Sequence, residues 1–417
     1  MKILLINYSD HAGGSGIASK RLIEALNRAG YKATLGVLSK KSDFPFVIEL
    51  PKNKNFDKQN ANMVKKNMLK TTNTAIHSMN RLSKLDIDKI NSFDCDVVHL
   101  ACINNSTISI EDVAKIKKPI VWTLHDLWPI CGAEHHPNVL ENDRRFIDGY
   151  TKNNFPKTSK GKDICRLTWE RKKNAWKNIN FIWTALSNFQ NNLLASSALF
   201  KEQSAEVIPN IIPTKIFKPL NKITVRKIFN IPLNKKIIGF GSASHIDGKK
   251  SIKGSCFLLD ALKKIPNKND YVAMILGPAE ENFLSNLPIK SIPVGSISDE
   301  RILAALYNAC DCIVVPSIIE TFCNVVYEAL ACEIPVVAFN AHAMPDAITH
   351  KQTGYLAKPF QSKDLANGIL YCLQNQKKLK PQIHKDNKTR FNEKAIIEKY
   401  LQVYKTAVNS TRGLHAN

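Results

Sequence analysis

Short apolar segments alternate with segments of helical spacing along most of this chain of 417 residues. Near the N-terminus the strand-like run KILLIN is followed by a glycine turn, a helix-like stretch and a second apolar run, ATLGVL. Alternation of this kind builds βαβ units, in which helices cover both faces of a parallel sheet. The pattern starts again at KKIIGFGSA and continues to PVVAF. The sequence therefore predicts an α/β protein with two doubly wound, Rossmann-like sheets.

A proline-containing segment separates the two series of strands. Residues 205–220, AEVIPNIIPTKIFKPL, hold three prolines and end a strand-like run, which is typical of a chain leaving a domain. The chain also exceeds the size at which a single core usually keeps growing. We predict one domain over residues 1–205, a second over 206–388, and a C-terminal helix over 389–417 that returns to the first domain.

The chain is strongly basic, with 59 Lys and Arg against 36 Asp and Glu and a formal net charge of +23. Such an excess predicts an anionic partner, and nucleic acid, an anionic bilayer and phosphorylated substrates all qualify. The sequence contains no zinc-finger spacing and no other recognisable nucleic-acid module. We therefore expect no nucleic-acid partner.

The apolar run in MKILLINYSD is too short for the core of a signal peptide. No window approaches the ~20 apolar residues that a membrane-spanning helix needs. Ten cysteines are scattered along the chain, several within apolar runs such as LYNACDCIVVPS, where a free thiol behaves as a small apolar group. We expect a cytoplasmic protein with free thiols.

Residues 57–90 are rich in Lys and Asn, yet apolar residues recur in them at nearly helical spacing. These residues are Val64, Met68, Ile76, Met79 and Leu82. One interpretation is a helix packed on its own domain, and the other is a basic helix that rests on an anionic bilayer.

Two glutamates lie eight positions apart in PSIIETFCNVVYEALACEIPVV, which predicts a strand, a short loop and a helix that begins near Cys323. Glu320 falls in the loop and Glu328 within the helix. Ligands of a doubly wound sheet bind beyond the carboxyl ends of the strands, and helix N-termini attract phosphate. A carboxylate can accept hydrogen bonds from two neighbouring sugar hydroxyls. The segment therefore predicts a site for a nucleotide sugar.

The same segment resembles the signature of glycosyltransferase family 4, in which seven residues separate two glutamates ahead of a PVV strand. GGSG at 13–16, TLHD at 123–126, VIPN at 207–210, KG at 253–254 and MPDAI with TGYLAKP at 344–359 extend the resemblance over most of the chain. TLHDLWPICG and WERKKNAW are similar to the branch that builds bacterial capsule, colanic-acid-type and O-antigen polysaccharides. The resemblance implies the GT-B fold, with two facing Rossmann-like domains and a central cleft.

The resemblance also implies roles for individual residues. Glu328 would hold the ribose hydroxyls, and Glu320 the hydroxyls of the donor hexose in a catalytic role. Lys253 would meet the donor diphosphate, whose charge must be neutralised when it leaves. His125 would be the second catalytic residue and would contact the reacting sugar. The other donor-binding residues implied are Gly14, Gly16, Phe322, Cys323, Asn324 and Val325.

Three positions depart from the family pattern. Ser242 stands where relatives often carry an Arg, which Lys249 or Lys250 could replace. Cys323 replaces a residue that is commonly Gly or Pro, and Glu333 replaces the Gly of the usual A-C-G-x-P.

Two other groups have the residue types of metal ligands. Asp94 and Asp96 have the spacing of metal-binding carboxylates in another glycosyltransferase fold, but they precede a strand and are expected to be solvated. Cys131, His135, His136 and Cys165 could supply four zinc ligands by residue type, although their spacing is irregular. The site implied by the resemblance contains no metal.

The resemblance thus implies a retaining glycosyltransferase that transfers a sugar from a nucleotide-sugar donor to a saccharide on polyprenyl diphosphate, without a divalent metal or other cofactor. The segments RLTWERKKNAWK and VKKNMLK mix cations with apolar anchors and predict peripheral binding to the cytoplasmic face of the inner membrane. A nucleotide-sugar epimerase and a catalytically inactive nucleotide-binding protein of the same fold are the alternatives. The motifs leave open the base, the sugar, the acceptor, the linkage and the oligomeric state.

Overall fold

The chain forms two compact units in the computed structural model, which describes residues 1–11, 13–56, 69–241 and 252–412. Unit 1 comprises Met1–Ile211 and the chain from Glu393 onwards, and unit 2 comprises Ile212–Asn392. The first boundary lies within the proline-containing segment. Among the described helices, none has the length and apolarity that crossing a membrane requires.

Unit 1 is built on a seven-stranded parallel sheet with the strand order β3-β2-β1-β5-β6-β8-β9. Its strands are β1 (Lys2–Ser9), β2 (Lys32–Ser39), β3 (Val47–Glu49), β5 (Val97–Leu100), β6 (Ile120–Leu124), β8 (Phe181–Ala185) and β9 (Ala205–Val207). Strands β4 (Leu69–Lys70) and β7 (Lys160–Gly161) form a separate antiparallel pair. The helices before the first boundary are α1 (Gly13–Arg28), α2 (Ile87–Ser92), α3 (Ile110–Val113), α4 (Arg145–Asp148), α5 (Ile164–Trp176) and α6 (Asn188–Ser196), with a 3-10 turn at Val139–Glu141.

Unit 2 has a six-stranded parallel sheet with the strand order β12-β11-β10-β13-β14-β15. Its strands are β10 (Lys236–Gly241), β11 (Tyr271–Leu276), β12 (Lys290–Gly295), β13 (Cys312–Val315), β14 (Val336–Phe339) and β15 (Gly354–Ala357). The helices are α7 (Lys222–Ile228), α8 (Ser255–Lys264), α9 (Glu281–Ser285), α10 (Glu300–Ala309), α11 (Asn324–Ala331), α12 (Met344–Ala347), α13 (Ser362–Gln374) and α14 (Gln376–Arg390), with a 3-10 turn at Lys268–Asp270. The prediction of two α/β domains with parallel sheets is confirmed.

The last helix, α15 (Glu393–Arg412), belongs to unit 1 and packs on its sheet. Its buried side chains recur every three or four residues, as one face of a helix requires. They join the apolar core that contains Ile3 and Leu5 of β1 and Leu22 and Leu26 of α1. The helical residues in this core are Ile396, Ile397, Tyr400, Val403, Tyr404 and Ala407.

In two basic segments the described residues differ from what the sequence predicts. The described residues 71–86 contain no helix, because their backbone groups pair with other loops of unit 1: Ser78 donates to the carbonyl of Ala133, and Lys84 to that of Ser106. The other part of the 57–90 segment, residues 57–68, lies outside the described residues. RLTWERKKNAWK does lie largely within α5, but its tryptophans, Trp169 and Trp176, are buried. They cannot serve as membrane anchors.

Gly254 determines how closely α8 can approach the end of β13. It precedes α8 with φ +66°, in the left-handed region that favours glycine, and a Cβ atom there would lie 1.9 Å from the carbonyl oxygen of Pro316. The amide of Ile318 donates to the carbonyl of Ile252 at 2.8 Å, which joins the two loops beside this contact. Lys253 is thereby held next to the residues that follow β13.

A buried histidine links α15 to the centre of the first sheet. His99, on β5, is 1% exposed; its Nδ1 lies 2.8 Å from the hydroxyl of Tyr404 and its Nε2 lies 2.6 Å from Oγ1 of Thr123. Burial lowers the pKa of His99 to about 3. The folded protein therefore holds the neutral imidazole, whereas the unfolded chain takes up a proton below the ordinary histidine pKa of about 6.5.

We predict an acid-induced loss of stability that begins near pH 6.5. Because the folded pKa of His99 is lowered, its contribution to the free energy of unfolding is complete above pH 6.5 and declines as the pH falls towards 3. Between pH 7 and pH 5 this loss amounts to about 2 kcal/mol. Denaturant unfolding at several pH values should show a shallower pH dependence for His99→Gln. Equal slopes for wild type and His99→Gln would contradict the prediction.

We predict that Gly254→Ala destabilises the chain by about 3 kcal/mol, the sum of a left-handed conformation and a steric clash. Gly295→Ala is the matched control, because Gly295 also has a positive φ of +77°, but a Cβ atom added to it would meet no atom of the described residues within 4 Å. It should lose only about 1 kcal/mol. The measurement is denaturant unfolding of both variants, and equal losses would show that the contact with Pro316 is not limiting.

Candidate functional site

The candidate site of unit 2 lies where the strand order of its sheet changes direction. Strands β10 and β13 are neighbours, and the chain proceeds outward from them to opposite edges of the sheet. In an open α/β sheet, the carboxyl ends of two such strands form the ligand-binding position. Ser317 and Glu320 follow β13, and the Lys253–Gly254 turn lies beside them.

An ion pair forms the centre of this site. Nζ of Lys253 donates to Oε1 of Glu320 at 2.7 Å, and the hydroxyl of Ser317 donates to the same oxygen at 2.8 Å. Burial opposes the charged form of Lys253, but the charge of Glu320 and its hydrogen bond with Lys253 together raise the pKa of Lys253. The site thus keeps a cation and a carboxylate in contact, both only partly accessible to water.

Helix α11 points its N-terminus into the same loop. Cys323, Asn324 and Val325 are partly exposed there, so their backbone amides lie at the end of a helix where anions are favoured. Phe322 is buried and stacks on Tyr327, with ring centroids 4.0 Å apart. Of the predicted donor-binding residues, Phe322 therefore has a packing role in this structure.

Both departures from the family glycines occupy left-handed backbone. Cys323 caps α11 with φ +69°, and Glu333 follows the end of the same helix with φ +58°. Residues with a Cβ atom adopt this conformation at a cost of about 1–3 kcal/mol. Oε1 of Glu333 also lies within hydrogen-bond distance of His384, 2.7 Å from its Nδ1. Strain is therefore concentrated at the two ends of α11.

Glu328 differs from Glu320 in its surroundings. It lies within α11, is 4% exposed, and accepts a hydrogen bond from the hydroxyl of Tyr307 at 3.1 Å. Burial, followed by the charge of Glu328, raises the pKa of Tyr307 well above its ordinary value. A hydrogen bond from Tyr307 on α10 thus fixes the carboxylate of Glu328. The sequence analysis did not identify this tyrosine.

His342 is a second residue of this site that sequence reasoning missed. Burial lowers its pKa to about 4 although the neighbouring charge of Glu320 opposes this. It has a left-handed backbone with φ +55°, and Ala343 donates its amide to the carbonyl of Glu320 at 3.3 Å. The sequence signal was its position after β14, at the same edge of the sheet as Glu320. His342 is therefore a neutral imidazole close enough to Glu320 for the charge of that carboxylate to act on its pKa.

Unit 1 also gathers polar groups at the carboxyl ends of adjacent strands. His125 directly follows β6, and burial lowers its pKa to about 4 against the opposing charge of Asp126. Asp126 accepts hydrogen bonds from Nδ2 of Asn104 at 2.7 Å and from the amide of Trp128 at 3.0 Å. His125 is therefore a half-buried neutral imidazole, able to donate to or accept from a hydroxyl group.

The glycines of the GGSG motif lie in the first turn of α1. Gly14 is exposed, but Gly16 is buried, and a Cβ atom on Gly16 would lie 2.8 Å from the carbonyl oxygen of Ser9. The missing side chain of Gly16 thus allows α1 to pack against the end of β1. Ser242, Lys249 and Lys250 lie outside the described residues.

The four residues considered as zinc ligands are not brought together as a set. Nδ1 of His135 lies 3.0 Å from Oδ2 of Asp126, and its Nε2 lies 2.9 Å from the hydroxyl of Ser78. Cys131 is buried. Among the described residues, the potential metal ligands that do lie together are Cys165, His77 and Glu134.

The aspartates at the entry to β5 are tied to the start of β1. Asp94 pairs with Nζ of Lys2 at 2.5 Å and is 81% exposed, while Asp96 accepts the backbone amide of Lys2 at 2.7 Å. This agrees with the solvated strand entry that we expected.

Comparison with known proteins places this geometry in context. Residues 221–390 match the family model described as glycosyl transferases group 1. The D-inositol 3-phosphate glycosyltransferase of Mycobacteroides abscessus is 26% identical over 164 residues, which are 37% of this chain and 35% of that protein. The enzyme of the same name from Mycolicibacterium smegmatis is 24% identical over 220 residues, 50% of this chain and 49% of that protein. The chain thus spans at most about half the length of these relatives.

Solved structures align over nearly the whole chain. Anabaena Alr3699/HepE in complex with UDP and glucose has a TM-score of 0.68 and 18% identity, covering 97% of this chain and 100% of that one. WaaG, a glycosyltransferase involved in lipopolysaccharide biosynthesis, has a TM-score of 0.63 and 15% identity, covering 96% and 99%. The chain therefore has the GT-B fold, and the match to the glycosyl transferases group 1 model lies within its second unit.

Proposed function

We propose that this protein is a glycosyltransferase whose second unit binds a nucleotide-sugar donor. The observation that carries the proposal is the contact between Lys253 and Glu320 at the carboxyl ends of β10 and β13. It lies within the part of the chain that matches the glycosyl transferases group 1 model. The UDP-bound structural neighbour supports a nucleoside diphosphate as the ligand.

In the proposed complex the cation and the carboxylate exchange their mutual contact for contacts with the donor. Lys253 and the first amides of α11 would receive the diphosphate, because both favour negative charge. Glu320 would accept hydrogen bonds from the hydroxyls of the donor sugar, and Glu328 from those of the ribose. Glu328 already holds the hydroxyl of Tyr307, so the ribose would compete for, or share, a carboxylate fixed in place.

The proposed reaction transfers the sugar to an acceptor hydroxyl. The bond from the anomeric carbon to the phosphate oxygen breaks, a bond to the acceptor oxygen forms, and the acceptor proton passes to the departing phosphate. Lys253 would stabilise the charge that develops on the phosphate, and His125 would position a sugar hydroxyl. Retention of anomeric configuration without a divalent metal is part of the proposal, and the resemblance of the Glu320–Glu328 motif to the family signature supports it.

The first test is ligand-induced stabilisation of the full chain by UDP, GDP, ADP, dTDP and CMP. A ligand at a hundred times its Kd adds about 2.7 kcal/mol to the free energy of unfolding. We predict this effect for one nucleoside diphosphate, and Lys253→Met should weaken binding by about 2 kcal/mol, the value of a charged hydrogen bond. Lys263→Met, which removes a 57% exposed cation from the nearby α8, should leave binding unchanged.

The outcomes separate the candidate functions. Stabilisation by none of the nucleotides, or an equal loss in Lys253→Met and Lys263→Met, would contradict the donor site. A nucleotide-sugar epimerase would consume donor without an acceptor. An inactive binding protein would bind a nucleotide but form no product from a labelled donor. Its wild type would then be as inactive as Glu320→Gln and His125→Ala.

We also propose a lipid-linked saccharide as the acceptor, with the protein held peripherally at the cytoplasmic face of the inner membrane. The net charge of +23 supports this, as does the occurrence of WaaG, named for lipopolysaccharide biosynthesis, among the structural neighbours. All ten cysteines are free thiols, which supports a reducing compartment. The exposed apolar residues Ile223, Ile228 and Leu233 lie on and after the basic helix α7 and provide a candidate contact with lipid.

Vesicle flotation tests this attachment. We predict binding to vesicles that contain phosphatidylglycerol but not to pure phosphatidylcholine, and a loss of binding as salt is raised. Ile228→Asp should reduce binding, because it places a negative charge on a side chain that is 68% exposed. Ile302→Asp, on α10 and 43% exposed, is the control. Equal binding of the two variants would exclude the α7 surface, and equal binding to both lipids would contradict the electrostatic attachment.

A further inference from the structure

A cluster of metal-binding side chains lies in unit 1, separate from the residues assigned to the donor. It consists of His77, Glu134 and Cys165, and one possible ligand atom from each lies within 4.8 Å of the others. Glu134 and Cys165 are buried, and His77 is partly buried. The proposed transfer reaction uses none of the three.

The fold brings these residues together from three segments that are distant in the sequence. His77 and Glu134 face each other as an antiparallel bridge pair, in which the amide of Ser78 donates to the carbonyl of Ala133 at 2.7 Å. Cys165 lies in the first turn of α5. That turn packs tightly on Gly132, because a Cβ atom added to Gly132 would lie 2.5 Å from the carbonyl oxygen of Cys165.

The hydrogen bonds around the cluster leave one carboxylate oxygen of Glu134 available as a metal ligand. The hydroxyl of Tyr150 accepts the amide of Gly132 at 2.9 Å and donates to Oε1 of Glu134. Oε2 of Glu134 is buried and receives no hydrogen bond within the described part of the chain. Such a carboxylate oxygen is costly to bury without a partner, so this atom points to a ligand.

The imidazole of His77 is oriented in the way that metal-binding histidines are. Its Nδ1 lies 2.8 Å from the carbonyl oxygen of Ala75, and since a carbonyl can only accept, Nδ1 carries the proton. Nε2 is then the nitrogen with the free lone pair. A hydrogen bond from the other ring nitrogen to a backbone carbonyl is the usual way in which proteins fix a histidine ligand.

We infer that His77, Glu134 and Cys165 bind a divalent zinc ion. One imidazole, one carboxylate and one thiolate are ligands that zinc accepts, at about 2.0–2.3 Å each. The three atoms therefore have to move together by about 1 Å, towards the ~3.5 Å separations of a tetrahedral site. On binding, the thiol of Cys165 loses its proton to solvent.

The fourth coordination position opens towards water. His77, Glu134 and Cys165 line one cavity of about 290 Å³, together with Asp143 and Arg145. The guanidinium of Arg145 is paired with Asp163, which offsets its repulsion of a nearby cation. The ion would link residues 75–78, residues 132–135 and the start of α5, and would thereby stabilise unit 1. Its role is independent of the proposed transferase reaction.

The test is the metal content of the full chain after equilibration with excess Zn²⁺ and removal of unbound metal. We expect one zinc ion per chain, and substitution by Co²⁺ should produce the charge-transfer absorption of a cobalt–thiolate bond. Cys165→Ala and Glu134→Gln should each weaken zinc binding by about a hundredfold or more, and a chelator should lower the Tm of the wild type.

Cys131→Ala is the matched control, because Cys131 is a buried thiol of the same region that is outside the cluster. It should keep both the zinc and the cobalt–thiolate absorption. Absence of bound zinc in the folded wild type would overturn the inference, and so would absence of the cobalt–thiolate absorption. Equal loss of zinc in Cys131→Ala and Cys165→Ala would do the same. Because the cobalt spectrum is measured on the wild type, the test does not depend on the folding of any variant.

Discussion

Parallel hydrogen bonding in the two large sheets is the constraint on which the rest of this structure depends. In both sheets every pairing between neighbouring strands is parallel. Parallel neighbours require long connections that return over the faces of the sheet, so helices must bury both faces. The carboxyl ends of all the strands then lie at one edge. His125 in unit 1 and Glu320 in unit 2 each follow a strand at such an edge.

The candidate donor site combines close backbone packing with unfavourable local conformations. Gly254 allows the Lys253 turn to touch the end of β13, and Cys323 and His342 hold left-handed backbone beside the same ion pair. Each such residue with a Cβ atom costs about 1–3 kcal/mol, which the surrounding fold must offset. The result is a cation, a carboxylate and a helix N-terminus held close together. In the proposed transfer, preorganised charge of this kind would stabilise a leaving diphosphate more effectively than mobile side chains would.

The pattern of strands and helices could be predicted from the sequence because apolar periodicity reports burial directly. The Glu320–Glu328 motif was recognisable for a different reason: the loop and the helix that hold the two glutamates are contiguous in the chain. Residues 71–86 and α5 were misjudged. In the first case, pairing with distant loops replaced the helix that local spacing suggested. In the second, Trp169 and Trp176 face the core although cations surround them in the sequence.

Several partners within the site could not be found from the sequence. Tyr307 reaches Glu328 from α10. His342, in the loop after β14, lies close enough to Glu320 for its charge to act on the histidine pKa, because neighbouring strands bring their loops together. The cluster of His77, Glu134 and Cys165 has no regular spacing, and it replaces the set that residue types alone suggested. The sequence by itself determined the α/β class, the two series of parallel strands and the glutamate motif, because each depends on residues that are close together in the chain. Only the tertiary structure decided which charges meet, because a hydrogen bond or an ion pair depends on distances that arise when remote segments pack together.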